Sequence, residues 1–517
     1  MFDESKKILI RATNWIGDAV MTVPAVQAIR KSYPEAHISL LAKPWVSEIF
    51  QENPDIDETI LYEESHDSII GKFRLASKLR KEKFDKAILL QNAFDAALIA
   101  RLAGIPERIA YKRDGRGFLL TDAIPVNEEV QAQHQVYYYL DLLKSIGLQA
   151  GDPQPYIFLS DDERQWARDF LRPHFAEENS PLIGINPGAT YGSAKRWPAE
   201  RFAAVISSII KELKGRVVVF GSEKETDIAE EILNNLGTPD PKLLSQILNM
   251  SGKTSLRELA AMIAECDVFV TNDSGPMHMA AALHVPVAAI FGSTDWKATG
   301  PFGEGHKIIT KNVPCSPCMK RECPEEHLKC MTEIGADEVF DAVKEIFPAN
   351  KAVFLDKDGT LIEDKNYLNS FDDLVILKGV KTALQKLKNT GYKLIGVTNQ
   401  SGIARGIVDE TFVLESNSLL QDKLAIDDFF FCPHHPDEKC PCRKPEPVMI
   451  LNARLRYRIS LRQSYVIGDK ESDVILAKKS GATGILLSST PLFENTSASY
   501  IAKNMSEAVD WILERDK

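Results

Sequence analysis

The sequence predicts an α/β protein built on parallel sheets, and three observations carry that prediction. Short β-branched runs alternate with helical stretches along the whole chain, the pattern of repeated strand–helix–strand units. Residues able to do chemistry cluster just after the strand-like runs, where open α/β sheets bind their ligands. Finally, 517 residues with 44% hydrophobic and 26% charged content suit about three domains with ordinary cores.

Taken in order, "KKILIRA", "HISLLA" and "KAILLQ" read as strands of the first third. "PLIGINPG", "RVVVFGS", "CDVFVTND" and "VPVAAIFG" follow in the second, and "KAVFLDKDG", "KLIGVTNQ", "DDFFFCP" and "SYVIGDK" in the last. The acidic stretch 160–180 reads as a helix and a connection, and a helix near 336–346 stops at "FPANKA". These punctuation points place domains at 1–175, 176–348 and 351–517.

The net charge of -11 argues against a general nucleic-acid binder, which carries a basic field. The start, "MFDESKKILI", lacks a basic n-region and an apolar h-region, and the longest apolar run is broken by His284 and Pro286, so a cytoplasmic location is expected. The eight cysteines are then expected as thiols or metal ligands. One basic stretch, "GKFRLASKLRKEKF" at 71–84, is either a solvated helix face or a peripheral contact with anionic lipid at the inner membrane surface.

In the last third, "VFLDKDGTLI" puts Asp356 and Asp358 at the end of an apolar strand. Two neighbouring carboxylates repel unless a cation shares them, and Mg²⁺ accepts such oxygens while leaving positions for a phosphate. Later strand ends supply Thr398 and Asn399, then Arg443 and Lys444, then Asp469 and Asp473. Between them lies "CPHHPDEKCPCRKP", in which Cys432, His434, Cys440 and Cys442 offer four soft or borderline ligands. That donor set suits a closed, structural Zn²⁺ site. His435 is the weaker candidate, being adjacent to His434 and out of the paired spacing.

This segment resembles the haloacid dehalogenase (HAD) superfamily of phosphatases over 351–517. The resemblance implies that Asp356 attacks phosphorus and that Asp358 protonates the leaving oxygen and then activates water. It implies that Thr398, Asn399, Arg443 and Lys444 hold the phosphate and substrate, and that Asp356, Asp358 and Asp469 hold Mg²⁺. About forty residues between Asp356 and Thr398 leave no room for a large cap. Capless zinc-loop members of this superfamily include heptose-bisphosphate phosphatases and histidinol-phosphate phosphatases. "TNQSGIARG", "RKPEPVM" and "GDKESD" are similar to the former, while the short spacing from His434 to Cys440 is closer to the latter.

In the first segment, "TNWIGDAVM" places Asp18 at a helix start, where it either complements the helix dipole or serves as a general base in a cleft. In the second, "VFVTNDSGPMHM" puts the free N–H groups of Ser274 and Gly275 at a helix start, a cradle for pyrophosphate. "NPGATYGSAKRWP" adds a glycine-containing turn with Thr190 and Lys195. No G-x-G-x-x-G or P-loop is present, which disfavours a dinucleotide dehydrogenase or an NTPase. Cys315, Cys318, Cys323 and Cys330 form C-x2-C-x4-C-x6-C, either a structural thiol-rich loop or a metal site.

Residues 6–347 resemble the ADP-heptose:lipopolysaccharide heptosyltransferases, two-domain GT-B enzymes, and "PGATYGSAKRWP" and "CSPCMKRECPEEHLKC" are most similar to their type II members. The resemblance implies that Asp18 deprotonates the acceptor. It implies that Thr190, Lys195, Asp273, Ser274, Gly275 and His278 hold ADP-heptose, with Glu223 on the ribose. The expectation is therefore an α/β chain with a GT-B pair of Rossmann-like domains, followed by a capless HAD-like domain with a zinc loop. It would transfer heptose onto the inner core and dephosphorylate heptose bisphosphate. The alternatives are a histidinol phosphatase, or an inactive nucleotide-sugar-binding scaffold in the first 347 residues.

Overall fold

Among the described residues, eighteen strands assemble into three sheets of six, and every pairing within them is parallel. The computed structural model describes residues 6–175, 180–237, 241–489 and 496–516. The chain divides into two units, Met1–Ile346 and Phe347–Lys517. The expected 175/176 boundary adjoins residues 176–179, which lie outside the described residues.

In the first unit, one sheet comprises β1 (Lys7–Arg11), β2 (His37–Ala42), β3 (Glu58–Leu61), β4 (Lys86–Leu89), β5 (Glu107–Tyr111) and β6 (Asp122–Ile124). A second comprises β7 (Leu182–Asn186), β8 (Arg216–Val219), β9 (Ile247–Asn249), β10 (Val268–Asn272), β11 (Val287–Phe291) and β12 (Lys307–Thr310). The second unit holds β13 (Ala352–Leu355), β14 (Lys393–Asn399), β15 (Asp428–Cys432), β16 (Tyr465–Gly468), β17 (Thr483–Leu487) and β18 (Tyr500–Ala502). Counted within each sheet, the strand order is the same, 3-2-1-4-5-6. The connections therefore reverse direction between β1 and β4, between β7 and β10, and between β13 and β16. At such points a crevice opens beyond the strand ends.

The central strands are buried along their length, as in "RVVV" of β8 and "AVFL" of β13, because helices cover both faces of a parallel sheet. The eleven strands expected from apolar runs are all present. Seven more appear: β3, β5, β6, β9, β12, β17 and β18. Five of these are sheet edges, short and partly exposed, so they lack the continuous apolar run that marks a buried strand. Between β13 and β14 the only α-helix is Val380–Asn389, leaving the β13 crevice without a cap on that side. Among the described residues, no helix is long and apolar enough to cross a membrane.

Candidate active sites

The first site forms where two helix starts meet inside the first unit. The helix Ile16–Ser32 follows β1 and carries Asp18 in its first turn. The helix Gly275–Ala282 follows β10 and carries His278, buried. The two pack so closely that a Cβ on Gly17 would lie 2.7 Å from His278 Cδ2, so only glycine fits before Asp18. Both helix N-termini bring partial positive charge to this crevice.

Burial pushes the Asp18 carboxyl up to about 6, with the nearby Lys195 charge opposing and Asp273 adding to the shift. Burial likewise lowers His278 to about 4, which leaves it neutral at pH 7. Lys195 pairs with Asp273, and Thr294 donates to the same carboxylate oxygen at 2.6 Å. The Lys195 ammonium also lies 4.5 Å from the centre of the Tyr191 ring, whose other neighbour is the Arg321 guanidinium at 5.2 Å. Asn272 fastens this corner: its amide donates to Pro187 O at 2.6 Å and accepts from Trp197 N at 3.3 Å. Ser274 Oγ lies 3.1 Å from Thr271 Oγ1.

Asp18, Lys195, Asp273, Ser274, Gly275 and His278 thus gather at one crevice. Thr190 is exposed on the loop after β7, and Glu223 is exposed after β8. The buried acid of that turn is Glu225, whose carboxylate accepts from Ser222 N at 2.9 Å and Ser222 Oγ at 2.7 Å. Thr294, Tyr191 and Arg321 escaped sequence reasoning because their loops meet the site only through the fold.

The second site lies at the β13/β16 crevice. Lys444, fully buried, donates 2.6 Å bonds to Asp356 Oδ1 and Asp473 Oδ1. Burial alone would lower its pKa, but the two carboxylates more than offset this and raise it. Asp469 rises to about 6 through burial and the Asp356 charge. Gly359, at φ +88°, passes so near that a Cβ there would stand 2.5 Å from Asp469 Oδ2.

The carboxylates of Asp356, Asp469 and Asp473 each place an oxygen within 4.8 Å of the others. This set differs by one residue from the expected trio of Asp356, Asp358 and Asp469. Asp358 instead accepts from Gln400 Nε2 at 2.9 Å, and burial raises its pKa. Asp473 sits in the first turn of the helix Glu471–Ser480 and accepts from Lys470 N at 3.2 Å, which turns it back toward the crevice. The group fits a divalent cation: one lysine meets several carboxylates, and the buried Asp469 Oδ1 has no hydrogen-bond partner.

Asn399 does not face the crevice with free donors. Its Oδ1 accepts from Lys444 N at 3.0 Å and its Nδ2 donates to Lys444 O at 3.2 Å. Thr398 is buried, and its hydroxyl accepts from Gln400 at 2.9 Å. Arg443 is half-buried, with a buried Nη1 that has no partner.

Cys432, His434, Cys440 and Cys442 close into a knot at the end of β15, with separations of 3.4 Å (Cys432–Cys440), 3.2 Å (Cys440–Cys442), 3.2 Å (His434–Cys442) and 3.7 Å (Cys432–His434). Tetrahedral zinc with ~2.3 Å bonds to sulfur needs ligand atoms roughly 3.5–3.8 Å apart, so the knot fits it with a slight expansion. His435 instead caps the turn Pro436–Glu438. Cys315, Cys318, Cys323 and Cys330 form no comparable group of ligand atoms within 4.8 Å.

Residues 72–329 match the family model for glycosyltransferase family 9 (heptosyltransferase), and 441–505 match a HAD-hydrolase-like model. Lipopolysaccharide heptosyltransferase 2 of Escherichia coli is 30% identical over 351 residues, covering 67% of this chain and all of that one. D-glycero-beta-D-manno-heptose-1,7-bisphosphate 7-phosphatase of Helicobacter pylori is 40% identical over 171 residues, covering 32% of this chain and 97% of that one. The chain belongs to glycosyltransferase family 9, fused to a HAD-type phosphatase. The solved structure of E. coli ADP-heptose lps heptosyltransferase II matches the glycosyltransferase part with a TM-score of 0.56 and 28% identity, covering 66% of this chain and 98% of that one. The paired sheets of the glycosyltransferase are thus a GT-B-like fold, and the phosphatase carries a Cys/His cluster compatible with a zinc loop.

Proposed function

We propose that the protein is bifunctional in lipopolysaccharide core synthesis: it transfers heptose from ADP-heptose to the inner core and removes the 7-phosphate from heptose bisphosphate. The observation that carries the transferase reading is Asp18, held near the titration range by burial and set opposite Lys195 and a helix start. Asp18 takes the proton of the acceptor hydroxyl while that oxygen attacks the anomeric carbon. The bond to ADP breaks, and Lys195 with the N–H groups of Ser274 and Gly275 takes up the charge of the departing diphosphate. Asp273 positions Lys195, Thr190 and Glu223 contact the nucleotide, and His278 lines the heptose pocket as a neutral imidazole.

In the phosphatase, Asp356 attacks phosphorus as Asp358 protonates the leaving oxygen. Asp358 then takes a proton from water, which displaces the aspartyl group and releases inorganic phosphate. Lys444, Thr398 and Arg443 steady phosphate and substrate. Asp356, Asp469 and Asp473 hold a divalent cation, magnesium in this reading, which when bound offsets the charge of phosphate and carboxylates. Cys432, His434, Cys440 and Cys442 would hold zinc, which would stiffen the loop that presents Arg443 and Lys444.

Transfer from ADP-heptose to a heptose-bearing acceptor, lost in Asp18→Asn, tests the first activity; no transfer by the intact protein would leave a nucleotide-sugar-binding scaffold. The short His434–Cys440 spacing favours histidinol phosphate as the phosphatase substrate, whereas the 40% identical relative supports heptose bisphosphate. A higher kcat/KM on histidinol phosphate would overturn the heptose reading.

A further inference from the structure

We infer that the helix Ile69–Glu82 of the transferase, with the turns beside it, docks on an anionic phospholipid bilayer and faces the lipid from the acceptor side of the cleft. The inference rests on the transferase reading above, in which the acceptor is carried by a lipid.

One face of this helix is anchored and the other is open. Leu75, Ala76 and Leu79 are buried in the first unit, whereas Ile69, Ile70 and Phe73 at its start are 76%, 67% and 56% exposed. The neighbouring helix Phe94–Leu102 and the turn Gly117–Leu119 add Phe94 at 43% and Phe118 at 71% exposure, with ring centres 6.1 Å apart. A Lys72–Asp95 ion pair of 3.6 Å holds the two helix starts together, so the five apolar side chains share one corner. Scattered exposed apolar residues are ordinary; five on adjoining elements form a patch of the kind that meets another surface.

Charge decides which surface. The helix carries five basic residues and one acidic residue, against a chain-wide net charge of -11. Arg74, Lys78 and Lys81 recur at helical spacing on the exposed face, and exposed Lys112 packs against Gly117 beside Phe118. Apolar prongs beside a cationic stripe are the pattern of an interfacial helix, whose affinity comes from buried apolar area plus attraction to anionic headgroups.

The corner is tied to the catalytic mouth. Asp67, one residue before the cap Ser68, holds Lys43 at 2.9 Å, and that ammonium lies 5.7 Å from the centre of the Trp45 ring. The Trp45 indole donates to Asn14 O at 3.0 Å, in the loop that enters the helix bearing Asp18. Trp15 and Trp45 are 57% and 42% exposed and extend the patch toward the cleft with the side chains favoured at membrane interfaces.

Co-sedimentation of the full chain with vesicles tests this. The protein should bind phosphatidylglycerol/phosphatidylcholine vesicles and not pure phosphatidylcholine. Ile69→Ser/Ile70→Ser/Phe73→Ser and Arg74→Glu/Lys78→Glu/Lys81→Glu should each weaken binding by about tenfold or more. Both variants should keep wild-type transfer to a water-soluble, lipid-free acceptor and lose transfer to a vesicle-borne one. Variants that bind vesicles like the wild type, equal binding to pure phosphatidylcholine, or a dimer in solution that the serine variant dissolves would each overturn the docking surface. Vesicle binding lost in both variants, with no transfer by the wild type to either acceptor, would uphold the surface while bringing down the transferase reading.

Discussion

The β1/β10 crevice of the transferase and the β13/β16 crevice of the phosphatase both open at strand ends in sheets of identical strand order, yet their charge is arranged differently. The first sets Asp18 and Asp273 against Lys195 and two helix starts, so protein groups alone balance it. The second gathers Asp356, Asp469 and Asp473 with Lys444 and Lys470, and Asp358 beside the buried Lys357, so four carboxylates face three lysines and negative charge is left over. Topology thus fixes where a ligand lies, while the local count of charges determines whether the site calls for a cation.

Four experiments press on that contrast. Asp356→Asn should lower heptose bisphosphate hydrolysis by about 10³-fold or more through loss of the nucleophile, with heptose transfer unchanged; a parallel loss of transfer would mean that the two sites are coupled. Removing divalent cations with EDTA should cut phosphate release by about 10²-fold and leave transfer within about twofold, since metal contributes several kcal/mol only where it is bound. Gly17→Ala should lower the unfolding free energy by about 1–3 kcal/mol, the range for overpacking, because its methyl meets His278; thermal melting of the transferase unit reads this, and an unchanged midpoint would show that the helices can part freely. Smallest is the pH effect. With its pKa raised to about 6, Asp18 is the carboxylate above that pH and protonated below it, so kcat/KM for transfer should fall about tenfold by pH 5. A flat profile from pH 7 to 5 would remove Asp18 as the base.

Much of this was written in the sequence, and what was not has a physical reason. Strands β1, β7 and β13 announce themselves because both of their faces are buried; β9 and β18, at sheet edges, carry three residues each and no such run. Asp356, Lys444 and Asp469 could be placed because each follows a strand whose end must face the crevice. That Asp473 joins the carboxylate cluster could not, because it depends on how the helix Glu471–Ser480 begins and on Gln400 engaging Asp358. Likewise Tyr191 and Arg321, 130 positions apart in number, become neighbours only through packing of two loops.

The paired bonds between Asn399 and Lys444 have a consequence for how the phosphatase tolerates damage. Lys444 is mounted on two latches: the Cys/His knot just before it in the chain, and the Asn399 amide that grips its own N–H and C=O. The second latch does not pass through the first: the Asn399 bonds run from β14 straight to the Lys444 backbone. Opening the Cys/His knot would therefore still leave the Lys444 backbone tied to the end of β14.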